Sequence, residues 1–140
     1  MMPAAPMEAH LGSSFRVEIE GIGQASFSRC RGLGARVDVL EIAEGGAPGP
    51  RRLPGDIHWD PLVLERGWVE DRGLWRWFSS REPRGGAVEL LGPDGAVAGR
   101  WVFRRGWPSR WSGPSLDALQ DAIALEVLEI VHEGLEWDPR

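Results

Sequence analysis

Three carboxylates near the C-terminus, Glu126, Glu129 and Glu133, stand three and four residues apart. Paired carboxylates can serve as general acid and base. On a strand, however, Glu129 and Glu133 fall on one face and Glu126 on the other. Charge rows of this kind usually face solvent or another subunit. The three histidines are far apart, "HEGLE" at His132 lacks the second histidine of a zinc-protease helix, and Cys30 is the only cysteine. Neither a metal site nor an internal disulfide is expected. "GIGQAS" holds two glycines of a dinucleotide fingerprint but leads into a second strand instead of a helix. No phosphate loop and no nucleophile elbow is present. The serines have no histidine immediately beside them in sequence, so no triad is expected. "RRGWPSRW" (residues 104–111) interleaves Arg and Trp, as a platform for single-stranded bases would. The same residues can make a structural corner, with indoles packed under Arg stems. A net charge of −5 opposes nucleic acid as the main partner. No catalytic, cofactor-binding or metal-binding residue is therefore named.

The elements that would carry these residues read mainly as β. "FRVEIE" puts Phe15, Val17 and Ile19 on one face, and "GIG" then turns the chain into "QASFSRC". "ARVDVLEI" alternates again. "EGGAPGPRRLPG" (Glu44 to Gly55) has no periodicity, is rich in Gly and Pro, and is predicted to be a long loop. "IHWDPLVLERG" is extended, with Pro61 demanding an edge or a bulge. "EDRGLWRWFSS" is the one expected helix, capped by Asp71, with Leu74, Trp77 and Phe78 on one face packing on the sheet. "GAVELL", the turn "GPDG" and "AVAGRWVFRRG" form a further strand pair. The segment "GPSLDALQDAIALEVLEIVHEGLEW" is ambiguous. Leu116, Leu119, Ile123, Val127 and Ile130 make a helical stripe, so periodicity by itself favours a helix.

The chain has 140 residues, eight Trp and sixteen positive charges, all of them Arg. It has no Lys, Tyr, Asn or Thr, which reads as codon usage. This length fits one domain with one core. Residues 1–14, with Pro, Ala and a Ser pair, read as a flexible arm without the marks of a secretory signal. Residues 15–140 read as the domain. No apolar run approaches a membrane span. The sum is six or seven strands with one short helix, as in a small barrel or sandwich.

The order of the stretches "FRVEIEGI", "RGLGARVDVLEIAEGG", "RRLPGDIHWDPLVLERG", "LWRWF", "VELLGPDG", "WVFRRGWPSRWSGPSLDA" and "AIALEVLEIVHEGLE" resembles the tail-tube proteins of contractile phage tails and phage-tail-like injection systems. These are relatives of the haemolysin-coregulated tube protein of type VI secretion. The resemblance implies a small β-barrel of two packed sheets with one short helix. It turns the ambiguous segment into a strand over Ala122 to His132, with both faces buried, one of them against a neighbouring subunit.

It also implies a function: a structural, non-enzymatic subunit without cofactors, forming hexameric rings that stack into a tube with a lumen for cargo. The partners implied are further copies, sheath, baseplate and spike proteins, tube paralogues and protein cargo. Stable nucleic-acid binding and membrane insertion are not implied. The place implied is the cytoplasm during assembly, then a phage tail or tail-like particle that is released or anchored. Glu44, Gly45, Gly46, Arg51, Arg52, Leu53 and Pro54 become an inter-subunit stacking loop. The alternatives are a baseplate-proximal tube initiator or adaptor and, from another class, a β-barrel that binds a ligand or single-stranded nucleic acid.

Overall fold

A computed structural model describes residues 11–12, 14–46 and 48–138. The proposed N-terminal arm lies almost entirely outside the described residues. The elements in chain order are β1 (Phe15–Ile19), β2 (Gly23–Ala25), β3 (Arg29–Arg31), β4 (Ala35–Ile42), β5 (Arg51–Trp59) and β6 (Leu62–Gly67), then α1 (Gly73–Ser80), β7 (Arg84–Leu91), β8 (Val97–Ser112), β9 (Leu125–Val131) and β10 (Leu135–Trp137).

The strand order is β2-β1-β7-β8-β9-β6-β3, with β10 added alongside β8. β8 belongs to both halves. Its first part pairs with β7 and β10, and its last part, from Trp107, pairs with β9. β1 and β7 supply Val17, Ile19 and Val88 to the core from one half, and β6 and β9 supply Leu62, Leu64, Leu128 and Ile130 from the other. The architecture is thus two packed sheets. β2 and β3 end the strand order without pairing with each other. The expected small β-barrel of two packed sheets is present but not closed, and the short β2–β3 passage leaves both strands as edges.

β8 runs 16 residues, well past the predicted "AVAGRWVFRRG". "RRGWPSRW" is the bend and second half of this strand. The bend is made by Arg105, at φ 48°, and Gly106. Phe103 is completely buried beside it. A Cβ on Gly106 would meet the Phe103 ring at 2.8 Å and Ile130 at 3.0 Å. A Cβ on Gly86 would collide with the same ring. Glycine is therefore required on both sides of this phenyl group.

The helix is short, and packing holds it in place. Leu74 and Trp77 are buried, and the Trp77 indole donates to the Glu82 carbonyl at 2.6 Å. Phe78 is only half-buried, its ring 5.9 Å from that of Trp75. Asp71 Oδ1 accepts the Gly73 N–H at 2.9 Å, one residue before the helix N-cap.

β9 is flanked by β6 and β8 along most of its length. Pairing on both edges satisfies its backbone, and this outweighs the helical stripe. Its extent is Leu125–Val131, so the expected strand over Ala122–His132 is shortened at both ends. Leu116, Leu119 and Ile123 lie before it, outside any regular element.

Gly106→Ala is expected to lose about 1–3 kcal/mol through overpacking against Phe103. Urea titration followed by Trp fluorescence measures this. An unchanged midpoint would mean that the ring relaxes freely.

Candidate functional site

β4 and β5 form a hairpin that hydrogen-bonds to no other described strand. The sequence reading of a loop from Glu44 to Gly55 is corrected here. Arg51, Arg52, Leu53, Pro54 and Gly55 belong to β5, opposite Ile42, Glu41, Leu40 and Val39. Gly55 falls at the irregularity between Val37 and Val39. Glu44, Gly45 and Gly46 lie in the connection between the strands, and Gly46 adopts φ 85°. Pro54 lacks an N–H, but a two-stranded ribbon leaves each strand one free edge, which tolerates this.

Alternation divides the hairpin into two faces. Val37, Val39, Pro54 and Ile57 share one. Leu40, Ile42 and Leu53 share the other, with Arg51 opposite Ile42. Both faces are apolar and open: Val39 is 65% exposed, Leu40 49% and Ile57 49%. An isolated two-stranded ribbon is marginal in water. The ion pairs along it, Arg36–Asp38 at 2.9 Å, Arg52–Glu41 at 3.4 Å and Arg51–Glu44 at 3.2 Å, are solvent-exposed and weak. His58 meets Asp38 at 2.8 Å. This hydrogen bond, with help from Arg36, holds the Asp38 carboxyl below its ordinary range.

The root of the hairpin is firm. Gly32, at φ 99°, lies so close to the Pro61 carbonyl that no side chain fits. Asp60 N–H donates to the Gly34 carbonyl at 3.1 Å. Gly134 N–H donates to His132 Nδ1 at 3.1 Å, so His132 Nε2 carries the proton toward the Asp60 carbonyl, also at 3.1 Å. Burial pushes the imidazole below its ordinary pKa, partly offset by its hydrogen bond to the Asp60 carbonyl.

The three carboxylates go to three places. Glu126 faces the core. Its Oε1 accepts from Arg66 Nε at 2.8 Å and its Oε2 from the Trp111 indole at 2.8 Å. The Arg66 and Glu126 side chains are 6% and 5% exposed. Both oxygens are engaged in a structural clamp that also lies beside Phe27 and the Asp71 carbonyl. Glu129 points the opposite way, and Glu133 pairs with Arg105 at 3.2 Å beyond the strand. Sequence reasoning missed this clamp. Its signal was Arg66 in the same alternation as Leu62 and Leu64, a cation on a core face. A second cluster joins Glu89 to Arg16 at 2.8 Å and Arg100 at 3.0 Å, with Arg100 also near Asp138 at 3.3 Å. Burial raises the Glu89 carboxyl, but the hydrogen bonds from Arg16 and Arg100 outweigh it, and the net shift is downward. Among the described residues no group of three or more His, Cys, Asp or Glu is placed to hold a metal ion.

A β-domain that satisfies its buried charges internally and leaves a ribbon apolar on both faces is a building block for a larger assembly. Solved structures of similar fold come from contractile injection systems and from Hcp proteins. The chain superposes with a TM-score of 0.85 on one from an extracellular contractile injection system, the PVC sheath–tube complex in the extended state, at 19% identity over 94% of this chain and 93% of the other. A chain of the anti-feeding prophage tube-terminating cap gives 0.90 at 18% identity, covering 99% and 97%. Hcp1 from Flavobacterium johnsoniae gives 0.58 at 14% identity, covering 90% and 95%. Residues 12–136 match the family model of the T4-like virus tail tube protein gp19, and the chain belongs to that family. No curated protein matches it in sequence.

Glu126→Ala is expected to destabilise by about 3–5 kcal/mol, because it strands a buried guanidinium. The double variant Arg66→Met, Glu126→Leu is expected to recover most of that loss. Equal losses in urea titrations of the two variants would show that packing, not charge, is at stake.

Acid is expected to weaken the fold in two steps of the same sign. His132 is held neutral, so its contribution is complete above about 6.5 and is lost as pH falls below that. Glu89 is held ionised, so its contribution is complete above about 4.5 and is lost below. Urea midpoints at pH 7, 5.5 and 4 measure both steps, and His132→Gln should flatten the first. A midpoint rising between pH 7 and 5.5 would contradict the assignment.

Proposed function

We propose that this chain is a structural subunit of the inner tube of a contractile, phage-tail-like injection system. Copies form hexameric rings, and rings stack into a hollow tube whose lumen passes cargo. The observation that carries this reading is the β4–β5 hairpin, apolar on both faces and covered by neither sheet, in a chain of the tail-tube family. Exposed apolar surface of this extent calls for a partner. The hairpin tip, Glu44 to Gly46 with Arg51 to Pro54, is the stacking element and reaches a neighbouring subunit. The subunit makes and breaks no bond and needs no cofactor. Its work is to assemble with fixed geometry and to bear load. Its partners are its own copies, the sheath, the baseplate and spike, tube paralogues and protein cargo. It assembles in the cytoplasm and acts within a tail or tail-like particle.

A second reading has its own support. The likeness covers a tube-terminating cap and an anti-feeding prophage baseplate component, the latter with a TM-score of 0.80 over 98% of both chains. In that reading the chain forms a single ring at one end of the tube.

The test is a shortened hairpin in which residues 42–51 are replaced by Asn-Gly, a two-residue turn that keeps Glu41 opposite Arg52. Circular dichroism is expected to match the parent protein, while negative-stain micrographs show rings without tubes. Full-length tubes from the shortened protein would overturn the role of the hairpin. Single rings from the parent protein under every condition would favour the second reading.

A further inference from the structure

β6 and β9 are antiparallel, and their register fixes two ends of the molecule. Leu62 opposes Ile130 at one end, and Gly67 opposes Leu125 at the other. The hairpin enters β6 at the first end, where the Asp60 carbonyl meets His132. The second end lies about 17 Å away along the strand. There Trp68 N–H donates to the Ala124 carbonyl at 2.9 Å, joining the chain after β6 to the segment 113–124.

That segment is unusual. Leu116 is 87% exposed, Leu119 94% and Ile123 80%. A single turn, with Asp117 accepting the N–H groups of Leu119 and Gln120 at 3.0 and 3.2 Å, throws these aliphatic side chains outward. Leu116, Ala122 and Ala124 help line a shallow hollow. Trp68 and Val69 add 51% and 47% exposed apolar side chains beside it. The charges of the segment are Asp117 and Asp121, with no cation.

The hairpin face bearing Leu40, Ile42 and Leu53 is the counterpart. Its outer end is apolar and carries Arg51, which pairs with the exposed Glu44, while Arg36, Asp38 and His58 pair among themselves nearer its root. We propose that residues 113–124, with Trp68 and Val69, form the socket for the β4–β5 hairpin of a second copy of this chain. Leu40, Ile42 and Leu53 cover Leu116, Leu119 and Ile123, and Arg51 turns from Glu44 to Asp117 or Asp121. Hairpin and socket are different surfaces at opposite ends of β6. Such a contact is head-to-tail and propagates without closing on two copies, as a stacking contact must. The proposal rests on the tube reading above and names the receiving surface that it requires.

The test starts from Cys30→Ser, which removes the only native thiol. Leu53→Cys and Leu119→Cys are added singly and together, and the assembled protein is treated with a short bismaleimide. The double variant is expected to give a ladder of covalent multimers, and each single variant no more than dimers. Charge reversal gives an independent arm. Arg51→Glu is expected to shorten tubes at least tenfold, and Asp117→Arg with Asp121→Arg to restore them. Tubes without a ladder, or no restoration by the acidic-site reversals, would place the hairpin elsewhere while leaving the tube function intact. A parent protein that forms neither rings nor tubes would sink the tube reading and the socket with it.

Discussion

Phe103 sits where β8 leaves one sheet and enters the other, and the remaining architecture depends on its burial there. One strand can serve two sheets only if it bends. A bend in a paired strand needs a residue that accepts an unusual backbone, supplied by Arg105, and a position without a side chain, supplied by Gly106. The ring of Phe103 fills the space this creates, beneath Gly86 of the neighbouring strand. The two halves can then face each other across Leu62, Leu64, Leu128 and Ile130, and Leu74 and Trp77 bring the helix onto the same core.

The domain treats polar and apolar groups in opposite ways. Its buried charges, Arg66 with Glu126 and Glu89 with Arg16 and Arg100, are paired within the chain. That is the only affordable arrangement for ions out of water. Many of its apolar groups do not find cover. Val37, Val39, Leu40, Ile42 and Ile57 on the hairpin, and Leu116, Leu119 and Ile123 beyond the other end of β6, remain in solvent. A monomer gains nothing from this division. A subunit whose neighbours supply the missing cover gains geometry, because two distinct apolar surfaces at opposite ends of β6 define how the next copy sits.

The local pieces were legible in the residues. Alternation marked β1, β4 and the first half of β8. Three-four spacing marked Leu74 and Trp77, because this signal depends only on chain geometry over a few residues; Asp71, read as the cap, lies one residue before the N-cap Arg72 and accepts from Gly73 N–H. Their order carried the family resemblance. The stretch from Arg51 to Gly55 was read as loop because Pro54 and Gly55 mask its pairing with β4, in which Arg51 meets Ile42 and Pro54 meets Val39 across the connection.

What the tertiary structure decided was partnership. Glu126 became the anchor of Arg66 and Trp111 only because β6, β8 and β9 lie side by side, at sequence separations of 60 and 15 residues. The stripe from Leu116 to Ile130 was divided by the same event. Val127 and Ile130 went into a strand whose edges both pair, while Leu116, Leu119 and Ile123 stayed outside it. A helical pattern in the sequence records which side chains are apolar, not which backbone will accept their hydrogen bonds. That choice belongs to the neighbours of β9, and they are specified elsewhere in the chain.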